Sequence, residues 1–516
     1  MALFNKTVGQ YTSSLYEIAR GLIRSRDNQA AKAAQLAEVV LELQAENSRL
    51  SSELKTQQEQ SERSQQLLEQ AATEIQKLRE QPISLPADPP ALHHSYGPKI
   101  ISLCLKLAKT IGFRPTVRAL KIVFAWLGIA AKIPSWESIR GWACRVGVAE
   151  LEQPVEQADD WIWMSDHSNQ IGQEKVLKIL GIRVADLPPP GETLRHEHMQ
   201  VLAVIPGTSW KREDVRREYE KLAVRIGAPR FLLTDGATEL FESADALENA
   251  GRKTIILHDM KHVAANIFDR LLGNTERFQK YSSQLGRTRS AVQQTELSHF
   301  TPPPQKPKAR FMNLRPTLQW GEMVSYHLTN HRSQSRQHVT PERMNEKLGW
   351  VRGFREDLAC WNRCQDVMSA SIAFINRWGL VRGAAQELEQ VLNELRTGEW
   401  KRCDTSDRFA TELIQFVADS ETKLKEGERA WLSTEILESS FGLFKGLEGQ
   451  HSKGGFTSLI AAMPIMLTDC TPALVRESLQ RVSTKQMKKW VHDKLGTTLA
   501  SKRSIAYREY SQPAPG

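Results

Sequence analysis

A heptad repeat of apolar residues occupies the N-terminal part of the chain and ends shortly before a run of prolines. The repeat predicts a coiled coil over residues 27–81, after an N-terminal segment of residues 1–26. An asparagine at an a position favours a two-stranded homodimer in register, with parallel and antiparallel orientation both open. The alternative is one long helix folded back on its own chain. The d positions are Leu36, Leu43, Leu50, Gln57, Ser64, Ala71 and Leu78, and the a positions are Val40, Asn47, Leu54, Ser61, Leu68 and Ile75.

A proline-rich linker and a small basic unit follow the repeat. Residues 82–97 contain four prolines, so they predict a semi-rigid linker and no helix. Residues 98–150 predict three short helices, and between Pro98 and Gly147 they carry nine basic residues and one acidic residue. This size and charge predict a helix-turn-helix DNA-binding domain whose last helix enters the major groove, with a basic helical spacer as the alternative. The candidate DNA contacts are Arg114, Ser135 (also the N-cap of the last helix), Ser138, Arg140 and Arg145.

A second basic block lies in the C-terminal region, residues 468–516. From Thr471 to Tyr510 there are nine basic and three acidic residues, in a chain whose net charge is +9. The rest of the chain, outside the two blocks, is therefore mildly acidic. Two basic blocks on such a body indicate a polyanionic partner that touches the chain in two places. Two solvated basic faces are the alternative.

Several classes of protein are excluded by what the sequence lacks. There is no run of about 18 apolar residues, which excludes a transmembrane helix and predicts no membrane partner. There is no GxxxxGK[ST] motif, which argues against a P-loop ATPase. Six cysteines in 516 residues do not make a disulfide framework, and Cys360 and Cys364 form the only close pair, so no zinc site is completed. The cysteine content favours a reducing compartment.

Strand-like patterns are confined to the middle of the chain. They predict a mixed sheet covered by helices, in a core whose first part spans residues 157–273. Residues 274–430 are predicted to be all-α, and residues 431–467 bring the chain back to the core through an amphipathic helix. The predicted strands are Trp161–Met164, Val176–Val184, Met199–Ile205, Phe231–Thr234 and Lys253–Leu257, and the predicted helices are Trp210–Ile226, Thr238–Asn249, one from Lys261, and Leu432–Lys445.

Two of the predicted strands end in an aspartate. Asp166 ends the run WIWMSD, and Asp235 ends FLLTD. An ionised carboxylate beside a buried strand is costly unless a cation pairs with it, and Mg²⁺ prefers oxygen ligands. A third carboxylate would complete a two-metal site, and Glu438 is the candidate, with Glu435 one turn earlier as its rival. Each acid taken alone is more often a surface or capping carboxylate.

The order of strand Asp166, strand Asp235, helical insertion and helical Glu438 resembles DDE transposases with an RNase H-like core. The segments LLTDGATEL and LESSFGLFKGLEGQHSKGGF are similar to bacterial insertion-sequence transposases, and the long insertion resembles Mutator-like and hAT-like enzymes. Asp259 and His262 are similar to the (C/D)xxH motif of those groups. The resemblance implies a multidomain α+β protein, in which a coiled coil and a helix-turn-helix domain precede an RNase H-like mixed β-sheet core interrupted by an all-α insertion.

The same resemblance implies a DNA transposase that uses two Mg²⁺ or Mn²⁺ ions and no ATP. Asp166 would bridge both ions, and Asp235 and Glu438 would each hold one. The enzyme would cut one strand at the end of its element, and the freed 3′-hydroxyl would attack target DNA. His262 would steady the scissile phosphate with Asp259 supporting it, although a plain packing role for His262 is an equal alternative. The implied partner is double-stranded DNA, the terminal inverted repeats and the target, in the bacterial cytoplasm at the nucleoid.

Other residues near the acids complete the sequence prediction. His167 is excluded from the site because strand alternation sends its side chain to the opposite face from Asp166. Lys445 and Lys453 follow Glu438 and are candidates for phosphate contact. The competing functions are a non-catalytic DNA-binding regulator derived from a transposase and an RNase H-like nuclease that cuts without joining. The insertion also offers candidates for stacking on DNA, namely Trp320, Trp350, Trp361, Trp378 and Trp400.

Overall fold

The computed structural model describes most of the chain and divides it into two compact units. One unit comprises Met1–Pro86 with Leu127–Ile129, and the other comprises Ala87–Trp126 with Ala130–Gly516. No described helix is long and apolar enough to cross a membrane. The described residues are 15–80, 88–90, 94–129, 131–171, 174–245, 247–249, 251–305, 310–330, 339–395, 403–449 and 456–511.

The first unit is built on one uninterrupted helix, α1, Leu15–Glu80. The heptad repeat predicted a helix here, and that part of the prediction is confirmed. Its described apolar a and d side chains are exposed, by 51% at Leu50 and 57% at Leu54. A coiled coil would bury such an apolar stripe against a partner helix. The pairing itself stays a prediction. The side chains of Leu36 and Leu78 and most of the predicted linker lie outside the described part.

Three helices follow, α2 (Pro98–Ile111), α3 (Phe113–Trp126) and α4 (Trp136–Leu151). Gly112 separates the first two in a left-handed conformation with φ 84°. The predicted cap of α4 is confirmed, because the Ser135 hydroxyl accepts a hydrogen bond from the Ser138 amide. The number and approximate bounds of the helices therefore follow the sequence prediction.

The position of α4 contradicts its predicted role as an exposed recognition helix. Residues 142–149 are all buried, because this part of the helix packs against the segment Ser458–Ala462 and against the C-terminal helices. A Cβ at Gly147 would overlap the carbonyl oxygen of Ala461, so the two backbones approach too closely for any larger residue. This part of α4 is therefore a core helix and cannot enter a DNA groove. The first part of the helix, from Trp136 to Gly141, is half-buried or exposed apart from Ile139.

The second unit contains one mixed five-stranded sheet of order β3-β2-β1-β4-β7. Strands β1, β2 and β3 pair antiparallel, while β4 is parallel to both β1 and β7. The five predicted strands are confirmed, but the first of them continues seven residues beyond its predicted end at Met164, to Ile171. In chain order the elements are β1 (Trp161–Ile171), β2 (Glu174–Arg183), β3 (Gln200–Gly207), α5 (Arg212–Ile226), β4 (Phe231–Thr234), α6 (Thr238–Phe241), β5 (Glu248–Asn249), β6 (Arg252–Lys253) and β7 (Ile255–His258).

One face of the sheet packs against α5. Trp161, Trp163 and Leu177 from the strands meet Tyr219 and Leu222 from the helix in a buried cluster. The predicted helix Thr238–Asn249 is wrong beyond its first turn. The chain there forms a short 3-10 turn and then the small hairpin β5–β6, in which Gly251 has a φ of 74°.

The region predicted to be all-α is helical in its described part, apart from one isolated bridge between Leu380 and Ala430. Trp320 and Trp361 are buried in this region, so their side chains cannot stack on DNA. Trp378 is 38% exposed, and Trp400 lies outside the described residues. Its elements, after α7 (Met260–Phe268), are α8 (Glu276–Val292), α9 (Arg315–Thr329), α10 (Pro341–Leu348), α11 (Arg355–Trp378), α12 (Ala384–Leu395) and α13 (Asp404–Glu421).

A disulfide joins Cys360 in α11 to Cys403 at the N-cap of α13, with the two Cα atoms 6.0 Å apart. The sequence analysis paired no cysteines, because the two lie 43 residues apart and only the packing of α11 on α13 brings them together. The chain then returns to the sheet through α14 (Glu435–Glu448) and ends in α15 (Pro472–Arg481), α16 (Thr484–Leu495) and α17 (Leu499–Ser511).

Candidate active site

Two aspartates lie side by side where β4 ends next to β1. Ser165 of β1 is in register with Thr234, the last residue of β4, so Asp235 follows the end of β4 beside Asp166. The prediction that a strand ends at Asp166 is wrong, because β1 stays paired with β2 and continues to Ile171. Gly236 then turns the chain away with a φ of 93°. Burial, and next the charge of Asp235, raise the pKa of Asp166 to about 6. The two carboxylates are therefore close enough to repel each other, which a bound cation would relieve.

The sheet gives Asp166 and its neighbour His167 opposite surroundings. His167 Nε2 lies 2.5 Å from Glu239 Oε1 of α6. Asp166 instead shares its face with Lys178, because the two residues are paired across β1 and β2. The exclusion of His167 on the grounds of strand alternation agrees with this arrangement.

Asp259 connects the end of β7 to two helices. Its Oδ1 accepts hydrogen bonds from the amide and from Nδ1 of His262, at 2.9 and 3.0 Å, and so caps α7. Its Oδ2 accepts from the amide and the hydroxyl of Thr434, the residue that begins α14. A single buried carboxylate thus fixes where the helix carrying Glu438 starts. This is the supporting position that the sequence analysis proposed for Asp259.

His262 lies among the acidic residues. Burial alone would lower its pKa, but the hydrogen bond and charge of Asp259, followed by the charges of Asp235 and Glu438, outweigh burial and raise the pKa. His262 also acts on Asp166, whose pKa its charge lowers. His262 therefore interacts electrostatically with all three candidate acids. The charges that act on it include that of Glu438.

Glu438 is paired with a lysine. Lys261 Nζ lies 3.0 Å from Glu438 Oε2 and 3.7 Å from Glu435 Oε1. Glu435 also accepts a hydrogen bond from Asn376 of α11 at 2.7 Å. Within the described residues, no three His, Cys, Asp or Glu side chains are arranged to hold a metal ion. The aspartate pair fits a divalent cation by its donor atoms and its repulsion, whereas Glu438 is held by Lys261 instead.

Lys178 is a second basic residue that sequence reasoning missed. It is fully buried, and its Nζ donates a 2.8 Å hydrogen bond to the Ser440 hydroxyl on α14 while lying 5.5 Å from the centre of the Phe441 ring. Burial lowers the pKa of Lys178 to about 7. Its position inside the strand run EKVLKILGIR, in place of an apolar residue, was the only available signal.

Comparison with known proteins gives little beyond this geometry. No protein-family model matches the chain, and no curated protein matches it. Among solved structures, the chain is similar to the Drosophila P element transposase strand transfer complex, with 12% sequence identity and a TM-score of 0.37 over 81% of this chain and 99% of that one. A similarity this low does not establish a shared fold. The functional argument therefore rests on the residues of the site.

The predicted DNA contacts fall into different environments. Arg145 is buried, and its guanidinium donates to the backbone carbonyls of Val482 at 2.7 Å and Leu479 at 2.6 Å. Its prediction as a DNA contact is therefore wrong, since the side chain joins α4 to the chain around α15. Arg140 donates to the Ser458 hydroxyl at 2.8 Å and is likewise turned inward.

The remaining candidates are at or near the surface. Ser135 is exposed and Ser138 half-buried, and both serve the start of α4 through their mutual hydrogen bonds. Arg114 is exposed, with its guanidinium 4.8 Å from the centre of the Trp136 ring. Lys445 is exposed on α14, two turns beyond Glu438 and on the same side of the helix. Lys453 lies outside the described residues.

An exposed basic face lies on α3 and not on α4. Arg114, Arg118 and Lys121 are all exposed and follow one another at helical spacing. The spacing was visible in the sequence, but the sequence did not reveal which of the three helices would be covered. Because the second half of α4 is buried, the helices of this region that present cations to solvent are α3 and also α2, on which Lys99 and Lys106 are exposed.

Proposed function

We propose that this chain is a divalent-metal-dependent DNA transposase of the DDE type, which cleaves and joins DNA strands. One observation carries the proposal, namely the pair formed by Asp166 on β1 and Asp235 just after the adjacent parallel strand β4, in which burial and next the charge of Asp235 raise the pKa of Asp166. Phosphoryl transfer by a metal-dependent enzyme needs carboxylates that are fixed in place side by side. Strand β1 fixes the backbone of Asp166, and the end of β4 fixes that of Asp235.

Each residue of the site would have a separate role. Asp166 and Asp235 would hold a divalent cation, Mg²⁺ or Mn²⁺, and Glu438 would join them or hold a second ion. Such ions activate the attacking oxygen and stabilise the leaving oxygen of an in-line displacement. His262, hydrogen-bonded to Asp259, would bind a phosphate oxygen beside the reacting centre. Asp259 itself would position both His262 and the helix of Glu438.

DNA would be bound first through cations outside this site. The exposed row of Arg114, Arg118 and Lys121 on α3 is suited to the sugar-phosphate backbone, and Lys445 extends the site along α14. The C-terminal helix α17 is exposed throughout its described side chains and adds Arg503. This assignment moves the proposed DNA contact from the buried helix α4 to the solvent-facing helix α3.

A pair of substitutions separates the two kinds of arginine. Arg145→Ala is expected to lower the free energy of unfolding by about 2–4 kcal/mol, because it leaves two buried carbonyls without their charged donor. Arg118→Ala is expected to leave stability unchanged and to weaken DNA binding, with a salt dependence reduced by about one phosphate contact. Urea unfolding and salt-dependent binding to a DNA duplex measure the two effects. Weaker DNA binding by folded Arg145→Ala, with its stability unchanged, would return Arg145 to the DNA contacts.

The coiled coil is proposed to pair two copies of the chain. Deleting residues 1–81 is expected to convert a dimer to a monomer, as measured by light scattering after size-exclusion chromatography. Deleting only residues 1–26 is the control and should leave the dimer intact. Leu50→Lys with Leu54→Lys tests the stripe directly, because both side chains are exposed in the single chain and their substitution has no folding cost there. An unchanged mass in both the deletion and the double variant would refute pairing through α1.

The function is tested with DNA that flanks the gene, placed on a plasmid with the full-length protein and either Mg²⁺ or Mn²⁺. Metal-dependent excision followed by joining to a second DNA is the expected result. Cleavage without joining would favour a nuclease, and binding without cleavage would favour a regulator. The RNase H-like classification, the bacterial insertion-sequence origin and the Mutator-like or hAT-like organisation stay predictions from the sequence.

A further inference from the structure

Lys261 forms a salt bridge with Glu438, the candidate for the third acidic ligand. Lys261 Nζ lies 3.0 Å from one oxygen of Glu438 and 3.7 Å from Glu435, and the lysine side chain is only 22% exposed. The ammonium group therefore neutralises part of the acidic site.

The contact between Lys261 and Glu438 follows from the local architecture. Asp259 caps the helix that carries Lys261 and, through its second oxygen, binds Thr434 at the start of the helix that carries Glu438. The same buried carboxylate thus fixes both partners, two residues after Asp259 and four residues after Thr434. The position of the salt bridge is therefore set by the starts of the two helices. It does not depend on a chance contact between two long side chains on the surface.

The aspartate pair stands apart from this salt bridge. Asp166 lies on β1 and Asp235 follows β4, whereas Glu438 is on α14 and is paired with Lys261. Within the described residues the acids do not form a three-ligand group. The two aspartates therefore offer a cation two carboxylates, while the third carboxylate is held by a lysine.

We propose that Lys261 is a positioning residue that retains Glu438 in the DNA-free protein and releases it when a DNA phosphate takes over the ammonium group. The inference rests on the proposed function, since it concerns the same acids. A phosphate oxygen is a suitable replacement partner, because lysine binds phosphates as a point charge and the salt bridge is partly exposed to solvent. Glu438 can then turn to the side of Asp166 and Asp235 and complete the ligand set.

This arrangement couples metal binding to DNA binding. If DNA raises the affinity for the metal, then by linkage the metal raises the affinity for DNA by the same factor. A protein built in this way assembles its full acidic site only on its substrate. The coupling should be visible in binding alone, without any cleavage.

The test is calorimetric titration of the full-length protein with Mn²⁺, with and without a short mixed-sequence DNA duplex. Lys261→Met removes the ammonium group and Lys261→Arg keeps the charge. Lys261→Gln is a second neutral variant that keeps a polar head group, for use if the Met variant does not fold. Lys423→Met is the matched control, because this exposed lysine acts on His258 at the end of β7 and has no described contact with Glu438. Each variant is also made with Glu438→Gln.

Without DNA, Lys261→Met and Lys261→Gln are expected to bind Mn²⁺ about tenfold more tightly than the wild type, the scale on which groups next to metal ligands change affinity. Lys261→Arg and Lys423→Met should match the wild type. DNA should raise the Mn²⁺ affinity of the wild type by a similar factor and leave that of the neutral variants nearly unchanged. Adding Glu438→Gln should remove the gain of both neutral variants.

Two outcomes would overturn the inference, namely neutral variants that bind Mn²⁺ no more tightly than the wild type, and a gain that persists with Glu438→Gln. Neither is confused with failure of the proposed function. If the proposed function is wrong, Asp235→Asn will leave both Mn²⁺ affinity and DNA cleavage unaffected. Failure of the inference alone would leave a metal site that depends on Asp235 but does not respond to Lys261.

Discussion

Asp235→Asn is expected to reduce strand cleavage by at least about 10³-fold, which corresponds to about 4 kcal/mol of lost transition-state stabilisation. The amide cannot supply the negative charge that holds a divalent cation beside Asp166. Because the substitution also removes the repulsion that raises the pKa of Asp166, the folded protein should be as stable as the wild type or more so. DNA binding through α3 should be retained. Cleavage assays with Mg²⁺ and Mn²⁺, thermal unfolding and binding to a DNA duplex measure the three quantities.

Asp245→Asn is the matched control for this prediction. Asp245 lies ten residues further along the chain, is exposed, and its carboxylate is 3.6 Å from Arg212, so its loss removes the same charge outside the site. Its cleavage rate should equal that of the wild type. Glu438→Gln should behave like Asp235→Asn if the third acid has been identified correctly, whereas Glu435→Gln should not. Undiminished cleavage by Asp235→Asn, in a preparation free of wild-type enzyme, would refute the catalytic assignment.

Lys178→Met is expected to stabilise the folded protein by about 3 kcal/mol at pH 7. Burial lowers the pKa of Lys178 from 10.5 to about 7, and each pKa unit corresponds to about 1.4 kcal/mol. The variant loses one hydrogen bond, worth about 1 kcal/mol, but Ser440 still donates to the carbonyl of Leu437 at 2.6 Å. Methionine has nearly the length of lysine and can fill the same space beside Phe441. Urea unfolding of the two proteins gives the difference directly.

The pH dependence identifies the cause of this effect. Between pH 7 and pH 10.5 the unfolded chain keeps the Lys178 proton while the folded protein has lost it, so this group makes wild-type stability rise with pH in that window. The advantage of Lys178→Met should therefore be largest at and below pH 7 and disappear near pH 10.5. Lys175→Met, on the same strand but partly exposed, is the control and should show no such trend. A constant advantage across the window would attribute the gain to packing instead.

The candidate site was largely predictable because buried strands are legible in sequence. Asp166 and Asp235 follow apolar runs that form neighbouring parallel strands in register, although only β4 ends at this point. The motif containing Asp259 and His262 follows the next strand, and the helix of Glu438 starts at Thr434, which Asp259 binds. The helical character of α1 and of the insertion was equally clear, because both depend on local periodicity over many residues. The start of α1 at Leu15, before the predicted residue 27, was not predicted.

The sequence by itself therefore determined most of the helices and strands, the two aspartates that follow apolar strand residues, and the heptad stripe of α1. The tertiary structure alone decided which helix of the basic unit is covered, and so assigned Arg145 to the core and the row including Arg118 to the surface. It also decided that Lys261 meets Glu438 and that Cys360 meets Cys403. Local patterns record how each segment folds, but these pairings join segments far apart in the chain, and only their packing makes one partner accessible and another buried.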